Sequence, residues 1–188
     1  MKGSLDSTAL VFPNMSDAIA FYKVVDVYPI LITSEESLVE VSKSIQRAAN
    51  GEYGYIGGLD IDRWRDGTIE IERFRPNIVI QGAGVPFIEE FVKEFAVIPE
   101  PTENHGETRR ENIITVIAKC ARCLIPNVDP ETGLRDAAVP YKIMTKTHKD
   151  ERRRNKPIFG VHGMYGGNGV VRVGDCVQVR IWAGESEE

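Results

Sequence analysis

The sequence predicts a mostly-β fold, a β-barrel decorated with peripheral α-helices, on three observations. Several short runs rich in β-branched and aromatic residues are bounded by turn residues, as strands are. One segment alone carries a clear helical apolar face. Strands and helices do not alternate in the regular way that a parallel βαβ fold demands.

Taken in order, Thr8 to Phe12 reads as a short strand closed by Pro13 and Asn14, and Val24 to Ile32 as a second. Thr33 and Glu36 have the spacing of a capping box, in which each side chain satisfies the other's free backbone N–H. The helix they open places Leu38, Val41, Ile45 and Ala48 on one face and stops at Asn50-Gly51. Gly51 to Gly67 holds five glycines with little apolar periodicity and reads as a loop or insertion. Ile78 to Ile80 is a short strand, and Pro99 to Glu111 a polar surface loop. Ile113 to Ala118 is an apolar strand leading into Cys120-Ala121-Arg122-Cys123. Val170 to Val173 and Val177 to Trp182 read as a hairpin on the two-residue turn Gly174-Asp175. Gly160 to Gly169 reads as a flexible loop, since it has neither the ending of a P-loop nor the strand–helix context of a dinucleotide fingerprint. The basic cluster from Lys146 to Lys156 reads as a solvated helix end or loop.

A chain of 188 residues with 42% hydrophobic content can bury one core. The expected organisation is a single domain over residues 8–182, with 1–7 and 183–188 as flexible termini. A net charge of −5 argues against nucleic acid as a partner. No apolar run approaches the ~20 residues of a membrane span, and no secretory leader is evident. Three cysteines do not make a disulfide framework, so a reducing, cytoplasmic setting is expected.

Cys120-Ala121-Arg122-Cys123 is the first motif with chemical promise. A CxxC pair serves as half a zinc site, as a redox dithiol, or as one working thiolate beside a bystander. Zinc would need partners from Cys176, His105, His148 and His162, and the residues after Cys123 do not open a thioredoxin-like helix. A buried pair packed as small hydrophobes is the alternative. Arg122 would favour a reactive or metal-bound Cys123 thiolate if the two side chains converge. The second motif is Glu72-Arg73-Phe74-Arg75-Pro76-Asn77. Pro76 is expected to hold Arg75 extended, so that Arg75 and Asn77 point the same way and clamp a phosphate or a pterin edge. A surface turn with Arg75 paired to Glu72 is the alternative. In the third, Asn127 to Gly133, Asp129 either orients Arg122 or a cofactor polar group, or simply caps its own turn.

These pieces together resemble one family. ERFRPNIVIQGAGVPFIEE (72–90), CARCLIPNVDPETG (120–133), KPIFGVHG (156–163) and GVVRVGDCVQV (169–179) stand in the order of the MOSC domain, and DVYPILITSEESLVEVSKSI (26–45) is similar to its strand–helix entry. That domain is the C-terminal module of molybdenum cofactor sulfurases and of the mitochondrial amidoxime-reducing component. The resemblance covers about Thr8 to Trp182 and implies a β-barrel with peripheral helices.

It also implies a molybdenum–molybdopterin cofactor, with Cys123 as metal ligand and catalytic thiolate and Cys120 as a neighbour. Arg75 and Asn77 correspond to pterin contacts, Arg122 and Asp129 belong to the same site, and the positions after Asp26 point to Val27 and Tyr28. The implied activity is reduction of N-hydroxylated or N-oxygenated small molecules with electrons from a separate protein. The sulfurase branch implies instead a sulfur carrier, Cys123 receiving a persulfide from a desulfurase. A full sulfurase also carries a pyridoxal-phosphate domain, for which this chain has no room, and a cofactor-free remnant is a third reading. In relatives a preceding β-barrel domain supplies basic residues that grip the cofactor phosphate, and the resemblance, beginning near Thr8, leads to the expectation that this chain does not include it. A longer native chain would allow mitochondrial association. The family's Glu-Asp-x-x-Trp pattern stands here as Glu89-Glu90-Phe91, and the strand after it is expected to give way to the polar 99–111 segment.

Overall fold

The computed structural model describes residues 10–12, 30–99, 111–167 and 169–184. Tyr28, Val27, His105, most of the 99–111 segment, the greater part of the Val24–Ile32 strand and residues 1–7 lie outside them. The chain divides into two units, residues 31–90 with 119–161 and residues 1–30 with 91–118 and 162–188.

In the first of these units, β2 (Ile30–Ser34) is buried along its whole length and pairs in parallel with β3 (Ile78–Ile80), Thr33 opposite Val79. β2 lies between β3 and β7 (Lys156–Tyr165), and β6 (Lys149–Asp150) pairs antiparallel with the start of β7. Gly160 is what lets β7 approach β2. Its φ is +75°, and a Cβ there would lie 2.5 Å from the Ile32 carbonyl oxygen, so a side chain is excluded by both backbone and space. The segment expected to be a loop from Gly160 onward is therefore strand as far as Tyr165, the glycine serving close approach rather than flexibility.

Helix α1 (Glu35–Ala49) buries Val41, Ile45 and Ala48 as the periodicity predicts, and ends at Asn50 followed by Gly51 at φ +86°. Its start differs from expectation. Thr33 stays in β2, and Ser34 is the cap, its Oγ accepting from the Ser37 N–H at 3.2 Å. Beyond the helix, the glycine-rich 51–67 segment is more than a loop. It delivers Ile56 and the short helix α2 (Ile61–Trp64) to the core, where Trp64, Phe74, Phe159 and residues of α3 (Tyr141–Thr147) are almost fully buried. Phe74 and Phe159 stack with centroids 3.9 Å apart.

In the other unit, β4 (Val92–Ile98) pairs antiparallel with β5 (Asn112–Ala121) and with β9 (Cys176–Trp182), the latter register shifting around Glu94. β4 directly precedes the polar 99–111 segment, so the strand expected to be lost there is present. β1 (Leu10–Phe12) pairs antiparallel with β8 (Gly169–Val171). The expected 170–182 hairpin is thus corrected: Arg172 and Asp175 close a turn, but β8 and β9 pair with different strands. Turn chemistry reported the reversal; it could not report which strands the two arms would meet. Helices α1, α2 and α3 all belong to the first unit and strands dominate the second, and the fold class is mostly β, of the barrel type expected.

Candidate functional site

The CARC segment leaves the end of β5, and its two cysteines part company. Strand alternation turns Cys120 inward, where it is buried; Cys123, past the strand end, is exposed. Arg122 goes with Cys120. Its Nη1 donates to Cys120 Sγ at 3.0 Å, its Nη2 to the Phe74 carbonyl oxygen at 2.7 Å, and its guanidinium lies 5.4 Å from the Phe74 ring centroid. The condition for Arg122 to act on Cys123 is therefore not met by its hydrogen bonds, which go to Cys120 and to the Phe74 carbonyl within its reach.

Cys123 lines an open groove of about 670 Å³. Leu124, Ile125 and Val128 make one part of its wall apolar, while Arg122, Arg135, Lys156 and Tyr141 contribute polar groups, and among the described residues no carboxylate lines it. Of these, the sequence reading singled out Cys123 and Arg122. Arg135 carried no signal beyond its place in a turn. Lys156 stood in a basic run whose last member coincides with a strand start, the one cue available. Tyr141 follows a cis Val139–Pro140 bond that nothing in the sequence announced.

The FRPN segment departs from the extended geometry expected. Ile71–Phe74 forms a 3-10 turn that ends with Arg75 in the left-handed region, φ 55° and ψ 49°, its N–H bonded to the Glu72 carbonyl oxygen. A non-glycine residue there is uncommon and mildly strained. Two-residue alternation therefore does not align Arg75 with Asn77. Asn77 instead joins β2 to β3: its Oδ1 accepts from Leu31 N–H at 2.7 Å and its own N–H donates to the Leu31 carbonyl at 2.9 Å. Both side chains are exposed, and neither lines the groove.

Asp129 also differs from one of its expected roles. Its Oδ1 accepts from the N–H groups of Glu131 and Thr132, each at 3.0 Å, and its Oδ2 from Arg73 at 2.8 Å. The Thr132 N–H first, then that of Glu131 and the Arg73 charge, hold its carboxyl below the ordinary aspartate range. It orients no part of Arg122; it caps its turn, as the alternative had it, and ties that turn to Arg73. Arg73 is fully covered and also donates from Nε to Glu70 at 2.7 Å. A buried carboxylate, Glu89, receives the Ser34 and Ser37 hydroxyls at 3.0 and 2.9 Å at the start of α1. Burial pushes its pKa up, and those hydrogen bonds offset part of the rise. Its neighbour Glu90 meets His148 at 2.6 Å and Lys119 at 3.0 Å. Among the described residues, no group of three or more His, Cys, Asp or Glu is placed to hold a metal ion.

The MOSC domain family model matches residues 22–178. The chain belongs to the MOSC domain family. Mitochondrial amidoxime-reducing component 1 of Mus musculus is 28% identical to this MOSC domain over 158 residues, 81% of this chain and 36% of the relative. Mitochondrial amidoxime reducing component 2 of Rattus norvegicus is 28% identical over 185 residues, 94% of this chain and 44% of the relative. Molybdenum cofactor sulfurase of Aspergillus oryzae is 29% identical over 141 residues, 71% of this chain and 15% of the relative. The MOSC chain thus spans less than half the length of each of these relatives. Among its described residues no helix is long and apolar enough to cross a membrane.

Proposed function

We propose that residues 8–182 act as one MOSC domain that holds a molybdenum–molybdopterin cofactor through the Cys123 thiolate, in an oxidoreductase that reduces N-hydroxylated or N-oxygenated compounds. The observation that carries this reading is the asymmetry of the CARC motif: Cys120 is buried beside a guanidinium, whereas Cys123 is exposed on the groove. The residues present suit the cofactor. A thiolate is a soft metal ligand, the apolar wall at Leu124 and Ile125 suits a flat ring system, and a groove with cations and no lining carboxylate suits an anionic ligand. When bound, the metal would supply the two-electron redox chemistry. The chain's own contribution is to hold the thiol at the end of a rigid strand and to fix the loop beyond it through Asp129 and Arg73. Arg122, which lines the groove, is the proposed pterin contact; Arg75, Asn77 and Tyr28 are proposed on resemblance alone.

The electrons would come from a separate protein, and the setting would be the cytoplasm, or mitochondria if a longer chain carries the domain. The test is the molybdenum and pterin content of protein purified from a host that makes the cofactor. Roughly stoichiometric molybdenum is expected in the parent, none in Cys123→Ser, and much of the parent value in Cys120→Ser. Equal metal in Cys123→Ser and parent would overturn the assignment.

The exposure of Cys123 also favours a second reading, a sulfur carrier of the sulfurase type, since a thiol at an open groove is reachable by another protein. Incubation with a desulfurase and mass spectrometry separates the two: a persulfide on Cys123 in metal-free protein supports the carrier.

A further inference from the structure

We propose that Arg135 and Lys156 form an anion subsite in the Cys123 groove that takes a phosphate monoester dianion; this rests on the reading of that groove as a ligand site. Arg135 reaches the groove because its backbone is held on both sides. Val128 and Arg135 form a β-bridge, the Asp129 N–H donates to Leu134 O, and the Asp136 N–H to Asn127 O. Alternation then separates Arg135 from its neighbours. Asp136 takes the Trp64 indole N–H at 2.8 Å, Leu134 is largely exposed, and Arg135 lines the groove.

Lys156 reaches it from the opposite side of the sequence. It opens β7, paired with Asp150, and the next residue, Pro157, accepts the Arg122 backbone N–H at 2.8 Å, which fixes this strand start against the CARC segment. Among the described residues neither Arg135 nor Lys156 has a side-chain hydrogen bond or ion pair, and the Tyr141 phenol stands in the same groove. In a chain of net charge −5, cations gathered without a lining carboxylate attract and orient an anion rather than support the fold. Guanidinium and ammonium donors match phosphate oxygens by charge-assisted hydrogen bonds. A phosphate monoester is carried by a molybdopterin, and equally by a phosphorylated substrate.

The test uses Cys123 as reporter. The full chain, purified from a host that does not make the cofactor so that Cys123 is free, is alkylated with anionic iodoacetate or neutral iodoacetamide, and the Cys123 adduct is quantified by peptide mass spectrometry. In the parent, inorganic phosphate should slow the iodoacetate reaction selectively. Arg135→Ala with Lys156→Ala should lower the iodoacetate-to-iodoacetamide rate ratio at Cys123 by about tenfold, the loss expected for a charge-assisted contact. Arg153→Ala, on the exposed turn before β7, should change it much less. An unchanged ratio, with circular dichroism showing a folded double variant, would overturn the subsite. Molybdenum content of protein from a host that makes the cofactor then names the ligand: a fall in the double variant assigns the phosphate to the cofactor, and parent-level molybdenum assigns it to a substrate. A parent without molybdenum that still shows the charge-dependent ratio would sink the cofactor reading and leave the anion subsite standing.

Discussion

On the Phe74 side of the CARC segment each guanidinium meets acceptors: Arg122 the Phe74 carbonyl, Arg73 both Asp129 and Glu70. On the groove side Arg135 and Lys156 meet none among the described residues, although they stand beside the same segment. The difference separates charges that hold the fold from charges left to solvent. A covered cation without a partner carries a desolvation cost that the fold has to remove, whereas an exposed one keeps its water until something displaces it.

The comparison can be broken most directly at Arg73. Arg73→Ala should lower stability by about 3 kcal/mol in urea unfolding, because it opens a void and strands the carboxylates that faced it. Arg73→Met with Asp129→Asn should recover much of that loss, the mark of an energetically coupled pair. A cost below about 0.5 kcal/mol for Arg73→Ala would mean that this side is no more committed than the groove. Arg122→Ala comes next, at about 1–2 kcal/mol for a lost charged hydrogen bond to the Phe74 carbonyl, read the same way.

Two carboxylates sharpen the comparison through pH, with opposite signs. The Glu89 carboxyl is raised, so folding favours its protonated form. Its contribution is full below the ordinary glutamate value and is lost as pH rises through the folded value. The Asp129 carboxyl is lowered, so its contribution is present above the ordinary aspartate value and is lost as pH falls through the folded one. Unfolding midpoints between about pH 3 and about pH 8 should show Glu89→Gln flattening the decline on the upper side and Asp129→Asn the decline on the acid side. An unchanged profile in both variants would remove these groups from the account. The smallest effect is expected in the groove: Arg135→Ala should leave stability within about 0.5 kcal/mol, while altering Cys123 alkylation as above.

Much of the architecture was legible because local pattern and tertiary demand agree. The α1 face from Val41 to Ala48, its stop at Asn50-Gly51, the short β3 and the strand into CARC all follow from periodicity and turn chemistry. The site was legible in part. A CxxC motif at a strand end marks a pair of thiols, yet which one faces outward depends on where the strand stops, and β5 runs to Ala121, three residues beyond the predicted end. The Arg75 geometry was misread because the rule for residues before proline speaks of disfavoured right-handed helix; it is silent on a 3-10 turn that closes into the left-handed region.

By itself, the sequence determined the mostly-β class, the main helix and its apolar face, and a motif order that places the chain in the MOSC family, since each depends on residues close together along the chain. Tertiary structure alone decided that β7 continues through a glycine-rich stretch, that Arg122 serves Cys120, and that Arg135 and Lys156 share a groove with Cys123. Each of these is a contact between residues distant in sequence or a choice among competing partners, settled by which acceptor, backbone or open space the packed chain brings within reach.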